Sequence, residues 1–375
     1  MLPAPDAASK SAAIDWYFFL ARPRLPSPSP ETLEQLRDTS ILVTGAGGSI
    51  GNALSNELVK LQPRRLVLLD ASEQALYRLQ SSLADTRPLA NLDIVLANIL
   101  DTAHLEEILE TCCPQLIFHA AAYKHVPLLE ENPLAAIANN AVGTFNLAQS
   151  AKKFNVTRIV LLSTDKAVAP ISILGATKRI AEQITIVNSG VVLRLGNILG
   201  TEGSVSERFL RQIAASEPVT ITDPDAERYF LTCEEAVDLL LAAATTAPAG
   251  SILAPCLDRQ YTIASLAEFL ISTRSREAKP TITVTGPRSG DKTREALWSS
   301  DEQPFVSNAS GYSQFQRQST ETSQLRRELS ILEHAVRERD LPRAIEIVRR
   351  LVPDYELGAT VLAHLQPAVQ GTLRR

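Results

Sequence analysis

Cysteine is scarce in this sequence, and its placement excludes two common uses of the residue. The four cysteines are Cys112, Cys113, Cys233 and Cys256. None of them has the spacing of a zinc site, and an adjacent pair is a poor framework for disulfides. We therefore expect free thiols, no metal centre and the reducing environment of the cytoplasm.

Long apolar runs and an excess of positive charge are also missing. No stretch reaches the roughly 18 apolar residues that a membrane helix needs. The aromatic run at 16–21 is far shorter, lacks the flanks of a signal peptide, and is expected to pack on the domain or on a partner chain. A formal net charge of -5 argues against a general binder of nucleic-acid backbones. We predict no membrane span and no nucleic-acid partner.

Short apolar runs alternate with amphipathic stretches through the first half of the chain. Strands are predicted at 41–43, 66–70, 94–97, 116–119, 158–163 and 191–195. Helices are predicted at 50–60, 73–84, 103–109, 133–154 and from Lys178 to about Val187. Strands that are apolar throughout indicate a parallel sheet covered on both faces. The expected fold class is α/β, a doubly wound parallel sheet of the Rossmann type with a smaller C-terminal substrate lobe.

The composition divides the chain into four segments. Residues 1–38, rich in Ala, Ser and Pro, are predicted to form an arm, and 39–195 the Rossmann domain. Short helices and strands between glycine- and proline-rich loops at 196–299 predict a lobe on the carboxyl edge of the sheet. Within 300–375, the polar stretch 300–325 is expected to be a flexible loop, and helices are expected at 322–339 and 341–351.

A glycine-rich turn lies between the first strand and the first helix. It is formed by Thr44, Gly45, Gly47, Gly48, Ser49, Ile50 and Gly51. Such a turn lets the backbone approach a pyrophosphate, while the helix N-terminus offers free N–H groups and the positive end of its dipole. Asp70 ends the second strand nineteen residues after Gly51. A carboxylate there accepts ribose hydroxyls and repels a 2′-phosphate, which favours NAD over NADP.

The fifth predicted strand ends in Thr164, Asp165 and Lys166, and Lys178 follows twelve residues later. An acid and a base side by side at the carboxyl end of a strand occupy the edge where open α/β sheets place their chemistry. Together with the turn, eight segments resemble the nucleotide-sugar 4,6-dehydratases of the polysaccharide-biosynthesis group, in the extended short-chain dehydrogenase/reductase superfamily. The segments are TGAGGSIG (44–51), HAAAYKHVPLLEENP (119–133), NNAVGT (139–144), STDKAVAP (163–170), GATKRIAE (175–182), RLGNILGTEGSV (194–205), ITDPDAERYFLT (221–232) and PRSGDKTREAL (287–297).

This resemblance implies a reaction and a set of catalytic roles. The substrate would be a UDP-sugar such as UDP-N-acetylglucosamine, converted to a 4-keto-6-deoxy sugar for surface polysaccharide. Hydride leaves sugar carbon 4, a base removes the proton at carbon 5, an acid protonates the departing 6-hydroxyl, and hydride returns to carbon 6. By resemblance, Asp165 is the acid and Lys166 the base, Thr164 binds the 4-oxygen, and Lys178 binds the nicotinamide ribose.

The resemblance also implies further contacts. Cofactor-binding positions would include Asn98, Ile99, Ala120, Ala121, Ala122, Lys124, Asn139 and Lys178. Substrate-binding positions would include Lys124, Asn197, Ser204, Arg228, Arg288 and Glu295, with Asn197 and the two arginines on the diphosphate and Glu295 on the uracil or ribose. The long helices after strands four and five, at 133–154 and 177–187, would join copies of the chain into a homo-oligomer.

One position departs from the superfamily pattern. Leu174 stands four residues before Lys178, where a tyrosine usually serves as the general base. Some family members carry methionine there, and the neighbouring aspartate is thought to cover the role. Two alternatives therefore stay open, a nucleotide-sugar epimerase and a protein that binds NAD and sugar without turnover.

Overall fold

The computed structural model describes residues 14–84, 91–275, 280–300, 302–305, 311–316 and 321–366. Its strands are β1 (Ser40–Thr44), β2 (Arg65–Asp70), β3 (Leu92–Leu96), β4 (Leu116–His119), β5 (Arg158–Thr164), β6 (Val191–Leu195), β7 (Asn197–Ile198), β8 (Val219–Ile221), β9 (Glu227–Arg228), β10 (Phe230–Leu231), β11 (Ile252–Pro255), β12 (Tyr261–Thr262), β13 (Ile282–Val284), β14 (Gln303–Phe305) and β15 (Tyr312–Gln316).

Helices fill most of the chain between the strands. They are α1 (Trp16–Leu20), α2 (Pro30–Glu34), α3 (Ser49–Leu61), α4 (Glu73–Leu83), α5 (Thr102–Cys112), α6 (Val126–Glu131), α7 (Pro133–Ala136), α8 (Gly143–Lys153), α9 (Ile173–Val187), α10 (Val205–Ala214), α11 (Cys233–Thr246), α12 (Ile263–Arg274), α13 (Thr322–Arg337), α14 (Leu341–Leu351) and α15 (Ala359–Leu365).

A nine-stranded sheet in the order β14-β15-β11-β6-β5-β4-β1-β2-β3 forms the centre of the molecule. Neighbouring strands are parallel in the part of the sheet formed by β11, β6, β5, β4, β1, β2 and β3. At one edge β15 pairs antiparallel with β11, and β14 pairs antiparallel with β15. All five residues of β1 and of β6 are buried, because helices cover both faces of the sheet. The strand order reverses between β1 and β4, where an open sheet of this type forms its ligand crevice. The predicted Rossmann architecture is confirmed.

The sheet extends further along the chain than the sequence indicates. Residues 300–325 were expected to form a flexible loop, but β14 and β15 lie in this stretch and pair with each other, and β15 pairs with β11. For the two described strands the expectation is wrong, because pairing of the backbone at a sheet edge needs few apolar side chains. Residues 301, 306–310 and 317–320 of the stretch lie outside the described residues. In β15 the side chains of Tyr312 and Phe315 are buried, and they suffice to anchor the strand.

The long helix predicted at 133–154 is not a continuous α-helix. Between α7 and α8 the residues Ile137–Val142 form a π-helix. The Asn140 side chain of this segment is buried and binds the backbone of Tyr123, accepting from its N–H at 2.8 Å and donating to its carbonyl at 3.1 Å. The wider turn thus fastens the loop that follows β4.

A C-terminal helical hairpin covers the helices that follow β4 and β5. The predicted helices at 322–339 and 341–351 are present as α13 and α14. Their apolar residues, among them Leu329 and Val348, share one core with Ile137 and Ile180 of the π-helix and α9. The hairpin of the same chain thus covers part of the surface of the stretches 133–154 and 177–187, which were predicted to join copies of the chain. The homo-oligomer itself stays a prediction.

The arm contacts both parts of the protein. Helix α1 packs on the lobe, where the ring of Phe19 lies 5.1 Å from that of Phe269 and 6.0 Å from that of Phe230. Beyond α1, Arg22 forms an ion pair at 2.6 Å with Glu235 of α11, a helix that packs on the sheet. Of the two alternatives for the aromatic run, the structure shows packing on its own domain. Residues 1–13 of the arm lie outside the described residues.

The lobe consists of α10, α12 and three small two-stranded sheets, which pair β7 with β10, β9 with β12 and β8 with β13. Its own core includes Phe209, Phe230 and Leu270. Across the described ranges, no helix combines the length and the apolar composition that crossing a bilayer requires.

Candidate active site

The glycine-rich turn between β1 and α3 has the shape of a phosphate cradle. Gly45 has a φ of +71°, and a Cβ there would lie 2.5 Å from the backbone nitrogen of Ala121. Only glycine therefore allows the turn to approach the loop after β4. At Gly48, by contrast, a Cβ would have just one neighbour within 4 Å, the Gly45 carbonyl at 3.4 Å. No side chain caps α3 at Gly48, so the first N–H groups of this helix face an open space.

Other residues of the predicted cofactor site support the turn itself. Asp70 accepts hydrogen bonds at 2.9 Å from the backbone of Gly47 and of Ser72, and each oxygen keeps capacity for a further donor. The side chain of Ile50 packs on the core. Thr44 is buried, and its hydroxyl lies 2.7 Å from Nδ1 of His119. The Thr44 side chain is thus directed into the core, not toward a ligand.

His119 is a buried residue that the sequence analysis did not single out. The Thr144 hydroxyl donates to the Asn140 carbonyl at 2.7 Å, so Nε2 of His119 must donate to Thr144 at 2.9 Å. Nδ1 then accepts from Thr44. Burial, together with the charge of Lys178, lowers the pKa of His119 to about 3, so the ring is neutral. His119 links β1 and β4 to the helix that follows, and is a structural residue.

Further residues of the predicted cofactor site lie on the loops after β3 and β4 and on the π-helix. Ala120, Ala121 and Ala122 are partly exposed and border the glycine-rich turn, and the Ala120 N–H donates to the Thr44 carbonyl. Asn98 is exposed and its side-chain oxygen accepts from the Leu100 N–H, whereas Ile99 is buried. Asn139 donates to the side chain of Asn140 at 3.0 Å.

A group of buried or partly buried charged side chains lies where β5 ends. Thr164, the last residue of the strand, donates to Oδ1 of Asp165 at 2.9 Å, and Nζ of Lys166 donates to the same oxygen at 2.9 Å. Asp165 is fully buried. Its other oxygen, Oδ2, has no hydrogen-bond partner among the described residues. A buried carboxylate oxygen without a partner is costly, and in native structures such an atom is often found at a catalytic site.

The lobe contributes two more groups to this centre. The side-chain oxygen of Asn197 on β7 lies 3.2 Å from Nζ of Lys166, and Oε1 of Glu295 lies 3.5 Å from the same nitrogen. These two residues were predicted to bind the diphosphate and the nucleoside of the substrate. In the structure both face the lysine, and this pairing of Glu295 with Lys166 has no counterpart in the sequence pattern.

The two lysines of the site have opposite pKa shifts. Burial lowers the pKa of Lys166, but the carboxylates of Asp165 and Glu295 outweigh burial and leave it above its ordinary value. Burial lowers the pKa of Lys178 to about 8, because only the more distant Glu182 offsets it. Nζ of Lys178 donates to the Leu162 carbonyl at 2.7 Å.

Leu174 lies one helical turn before Lys178 on α9 and is buried in the core. No proton donor or acceptor therefore stands at the position of the usual tyrosine. The titratable groups that form ion pairs at the strand end include Asp165, Lys166, Glu295 and Lys292.

The predicted anion-binding residues divide into two groups. Arg228 is buried and donates to the carbonyls of Glu227, Lys292 and Thr293 at 2.7 to 3.2 Å, so it holds the loop that carries Glu295. Arg288 is half-exposed and pairs with Asp291 at 2.9 Å. Ser204 caps α10 by accepting from the Glu207 N–H at 3.3 Å.

Arg208, on the first turns of α10, completes a basic group that the sequence analysis missed. Burial and the nearby charge of Arg288 lower the pKa of Arg208. Its Nε is buried and has no hydrogen-bond partner within the described residues. Two arginines whose charges oppose each other, one of them with an unused donor, are candidates to bind an anion. The only sequence feature that indicated it was the GSV segment one turn earlier.

A loop between β7 and α10 closes over the glycine-rich turn. The Glu202 N–H donates to Oγ of Ser49 at 3.2 Å, and its carboxylate pairs with Arg78 at 3.0 Å. Nζ of Lys124 donates to the Glu202 carbonyl at 2.6 Å. Lys124 is therefore at the border between the two parts of the protein, as a residue contacting both cofactor and substrate would be.

Comparison with known proteins finds similar proteins named for polysaccharide biosynthesis and for nucleotide-sugar epimerisation. The capsular polysaccharide biosynthesis protein CapD of Staphylococcus aureus is 38% identical over 277 residues, which are 72% of this chain and 46% of that protein. A UDP-glucose 4-epimerase of Rickettsia rickettsii is 31% identical over 71% of this chain and 79% of its own length. The chain spans about half the length of the curated polysaccharide biosynthesis proteins that it matches.

Solved structures share the fold. The structure of Pen from Bacillus thuringiensis has a TM-score of 0.70 and 26% identity, over 75% of this chain and 90% of that one. DesIV of Streptomyces venezuelae, a dTDP-glucose 4,6-dehydratase with NAD and TYD bound, has a TM-score of 0.62 and 21% identity, over 79% and 95%. The family described as polysaccharide biosynthesis protein matches residues 41–316. The resemblance seen in the sequence is therefore confirmed, and the chain belongs to this family within the extended short-chain dehydrogenases/reductases.

Proposed function

We propose that the protein is an NAD-dependent 4,6-dehydratase of a UDP-sugar, with UDP-N-acetylglucosamine as its most suitable substrate. The observation that carries the proposal is the contact between Asp165 and Lys166, with Oδ2 of the buried aspartate left without a partner. Dehydration across carbons 5 and 6 needs an acid and a base at neighbouring positions. This pair supplies both from one turn at the end of β5.

The cradle between β1 and α3 fits NAD. The open face at Gly48 and the uncapped N-terminus of α3 suit a pyrophosphate, and Asp70 retains acceptor capacity for ribose hydroxyls. Lys178 would hold the nicotinamide ribose. When bound, NAD supplies the acceptor that takes hydride from the sugar and gives it back. The four cysteines are free thiols, which supports a reducing compartment such as the cytoplasm for this reaction.

The remaining catalytic roles would belong to three side chains. Thr164 would donate to the 4-oxygen of the sugar, and Lys166 would take the proton from carbon 5. Asp165 would protonate the departing 6-oxygen. Because Leu174 has no titratable group, Asp165 would also accept the proton of the 4-hydroxyl when hydride leaves, which its unpartnered Oδ2 supports.

The diphosphate of the substrate would bind between Arg208 and Arg288. Their mutual repulsion, and the free Nε of Arg208, are relieved by a bound anion. Arg228 and Asn197, by contrast, would keep the positions seen here and act on the loop of Glu295 and on Lys166.

Epimerisation at carbon 4 is the second candidate, supported by the relatives named UDP-glucose 4-epimerase. An epimerase needs a base for the 4-hydroxyl but has no use for an acid and base pair directed at carbons 5 and 6. The pair of Asp165 and Lys166 favours dehydration, and the buried Leu174 weighs against a tyrosine-dependent epimerase.

The test is to incubate the purified protein with UDP-N-acetylglucosamine and NAD in heavy water, followed by mass spectrometry and proton NMR. The proposal expects loss of one water and deuterium at carbon 5. An unchanged mass with a carbon 4 epimer would establish the epimerase instead. Binding of NAD and sugar without any product would show that Leu174 marks a site that no longer reacts.

Asp165→Asn provides the matched variant. It removes a proton donor without changing shape, so turnover should fall on the order of a hundredfold or more while NAD still binds. Asp93→Asn changes a carboxylate on β3 that pairs with Arg65, remote from the strand end, and should leave turnover unchanged.

A further inference from the structure

We propose that Glu295 is a positioning residue of the catalytic centre. From the lobe, it holds the amine of Lys166 in place at the end of β5. The inference rests on the proposed function, because it assigns Glu295 to the base of that reaction. It differs from a role in binding the uracil or ribose, which would direct the carboxylate toward the nucleoside.

Hydrogen bonds within the lobe hold the backbone at Glu295 in place. Its N–H donates to Oε1 of Gln260 at 3.4 Å, and its carbonyl accepts from Nε2 of Gln260 at 2.9 Å. Arg228 binds the carbonyls of the two residues at 292 and 293 just before it. The side chain of Glu295 is buried, with only 2% of its surface exposed. A buried carboxylate on a backbone held this firmly cannot easily turn away from its partner.

Three side-chain oxygens surround the amine of Lys166, two of them as hydrogen-bond acceptors and the third in an ion pair. Oδ1 of Asp165 lies 2.9 Å from Nζ, the side-chain oxygen of Asn197 lies 3.2 Å away, and Oε1 of Glu295 lies 3.5 Å away. The three oxygens come from three segments, namely the turn after β5, the strand β7 and the loop before residue 300. An ammonium carries three donors, so this set defines where the nitrogen lies. Glu295 is the only one of the three that the lobe loop supplies.

Five side chains from the segments around Lys166 determine its electrostatic surroundings. Asp165 and Glu295 are negative, Arg228 and Lys292 are positive, and Asn197 is neutral. Nζ of Lys292 lies 3.4 Å from Oε2 of Glu295 and donates to the Val168 carbonyl. The two carboxylates raise the pKa of Lys166 against the effect of its burial. Loss of the Glu295 charge should therefore lower the pH at which Lys166 loses its proton.

The first experiment measures Lys166 directly and needs no turnover. Protein labelled with ¹³C at lysine is titrated by NMR, and the Lys166 ε-carbon signal is assigned by its loss in Lys166→Arg. The proposal expects this signal to titrate at lower pH in Glu295→Gln than in the native protein, with Glu295→Asp between the two. An unchanged titration midpoint in a folded Glu295→Gln protein would overturn it.

The second experiment uses the reaction. In Glu295→Gln the high-pH plateau of kcat should fall on the order of tenfold, since the base is less well placed, and the midpoint of the pH profile should move to lower pH. KM for the UDP-sugar should change little. A higher KM with an unmoved pH midpoint would instead assign Glu295 to the nucleoside. If the native protein shows no turnover with any UDP-sugar, the proposed function fails, and the NMR titration still decides the role of Glu295.

Controls separate positioning from damage to the fold. Glu227→Gln changes a carboxylate of the same lobe, which pairs with Arg294 at the surface, and should move neither the titration nor kcat. Circular dichroism and thermal unfolding check each variant. Should Glu295→Gln not fold, the shorter carboxylate of Glu295→Asp keeps the charge and decides the question, because a positioning role requires its Lys166 midpoint to lie below that of the native protein.

Discussion

Arg194 and Glu302, which are 108 residues apart, form a fully buried bidentate ion pair with N–O distances of 2.6 and 2.8 Å. Glu182 binds the same guanidinium from α9 at 2.7 and 2.8 Å, and also accepts from Ser163 just before the catalytic turn. Arg179 joins the cluster at 3.2 Å from Glu302. Two arginines and two glutamates thus connect β6, α9 and the segment that leads into β14.

Glu302→Gln should destabilise the protein strongly. It leaves two buried guanidinium groups with one carboxylate, and breaking a buried pair in this way costs roughly 3–5 kcal/mol. Urea unfolding followed by circular dichroism measures the loss. Glu346→Gln, which changes an exposed carboxylate on α14 paired with Arg343 and Arg350, should have no measurable effect. Equal stability of the two variants would show that the cluster contributes nothing.

The same cluster should make stability depend on pH at the acid end. Burial alone would raise the pKa of Glu302, but Arg194 outweighs it and lowers the pKa from 4.5 to about 2. A carboxyl group with a lowered folded-state pKa stabilises the protein above its unfolded value, and that contribution disappears as the pH falls from 4.5 toward 2. The unfolding free energy of the native protein should therefore fall across this window. The fall should be smaller in Glu302→Gln.

The fold was predictable wherever strands are buried on both faces. The strands β1 and β6 are buried along their whole length, and each contains a run of three apolar residues, at 41–43 and 191–193. The strand β15 could not be predicted in this way, because Tyr312 and Phe315 are its only buried anchors in a polar stretch. Its position depends on backbone pairing with β11, which is a long-range contact that local composition does not encode.

The site was predictable where its chemistry lies in one short segment. The glycine-rich turn and the run Thr164, Asp165 and Lys166 form their contacts within a few residues. Glu295 reaches Lys166 across 129 positions only because the lobe meets the end of β5. Arg208 joins a basic group only because the fold brings the charge of Arg288 to bear on it. Neither relation follows from spacing along the chain.

Substitutions of the basic pair should weaken binding of the nucleotide without affecting NAD. Arg208→Ala and Arg288→Ala each remove a charged donor for a diphosphate, and each should weaken UDP binding roughly tenfold, as expected for one charge-assisted hydrogen bond. Isothermal titration with UDP measures the effect. Arg37→Ala, which removes a surface partner of Glu34, serves as the control. UDP affinity that is the same in all three variants would exclude this pair as the diphosphate site.

Weakening or removing the C-terminal hairpin should expose an apolar surface through which copies of the chain associate. Leu329 on α13 is buried against the π-helix and α9, so Leu329→Ala should cost roughly 2–5 kcal/mol. Removal of residues 321–375 uncovers the whole face and should give oligomers or aggregates, because large apolar patches associate. Size-exclusion chromatography with light scattering detects them, and Leu362→Ala, at a half-exposed position, is the control. A truncated chain that stays monomeric would show that the hairpin is dispensable as a cover.

The arm is anchored both in the lobe and beneath the sheet, on either side of the cleft between them. Leu20 is buried in the core of the lobe, whereas Leu36, sixteen residues later, is buried in the core beneath the sheet, and Arg22 fastens the strap between them to Glu235. A strap of fixed length across a cleft sets how wide that cleft opens. The arm of this chain therefore ties the lobe to the sheet, and the two parts can separate only as far as the segment between Leu20 and Leu36 allows.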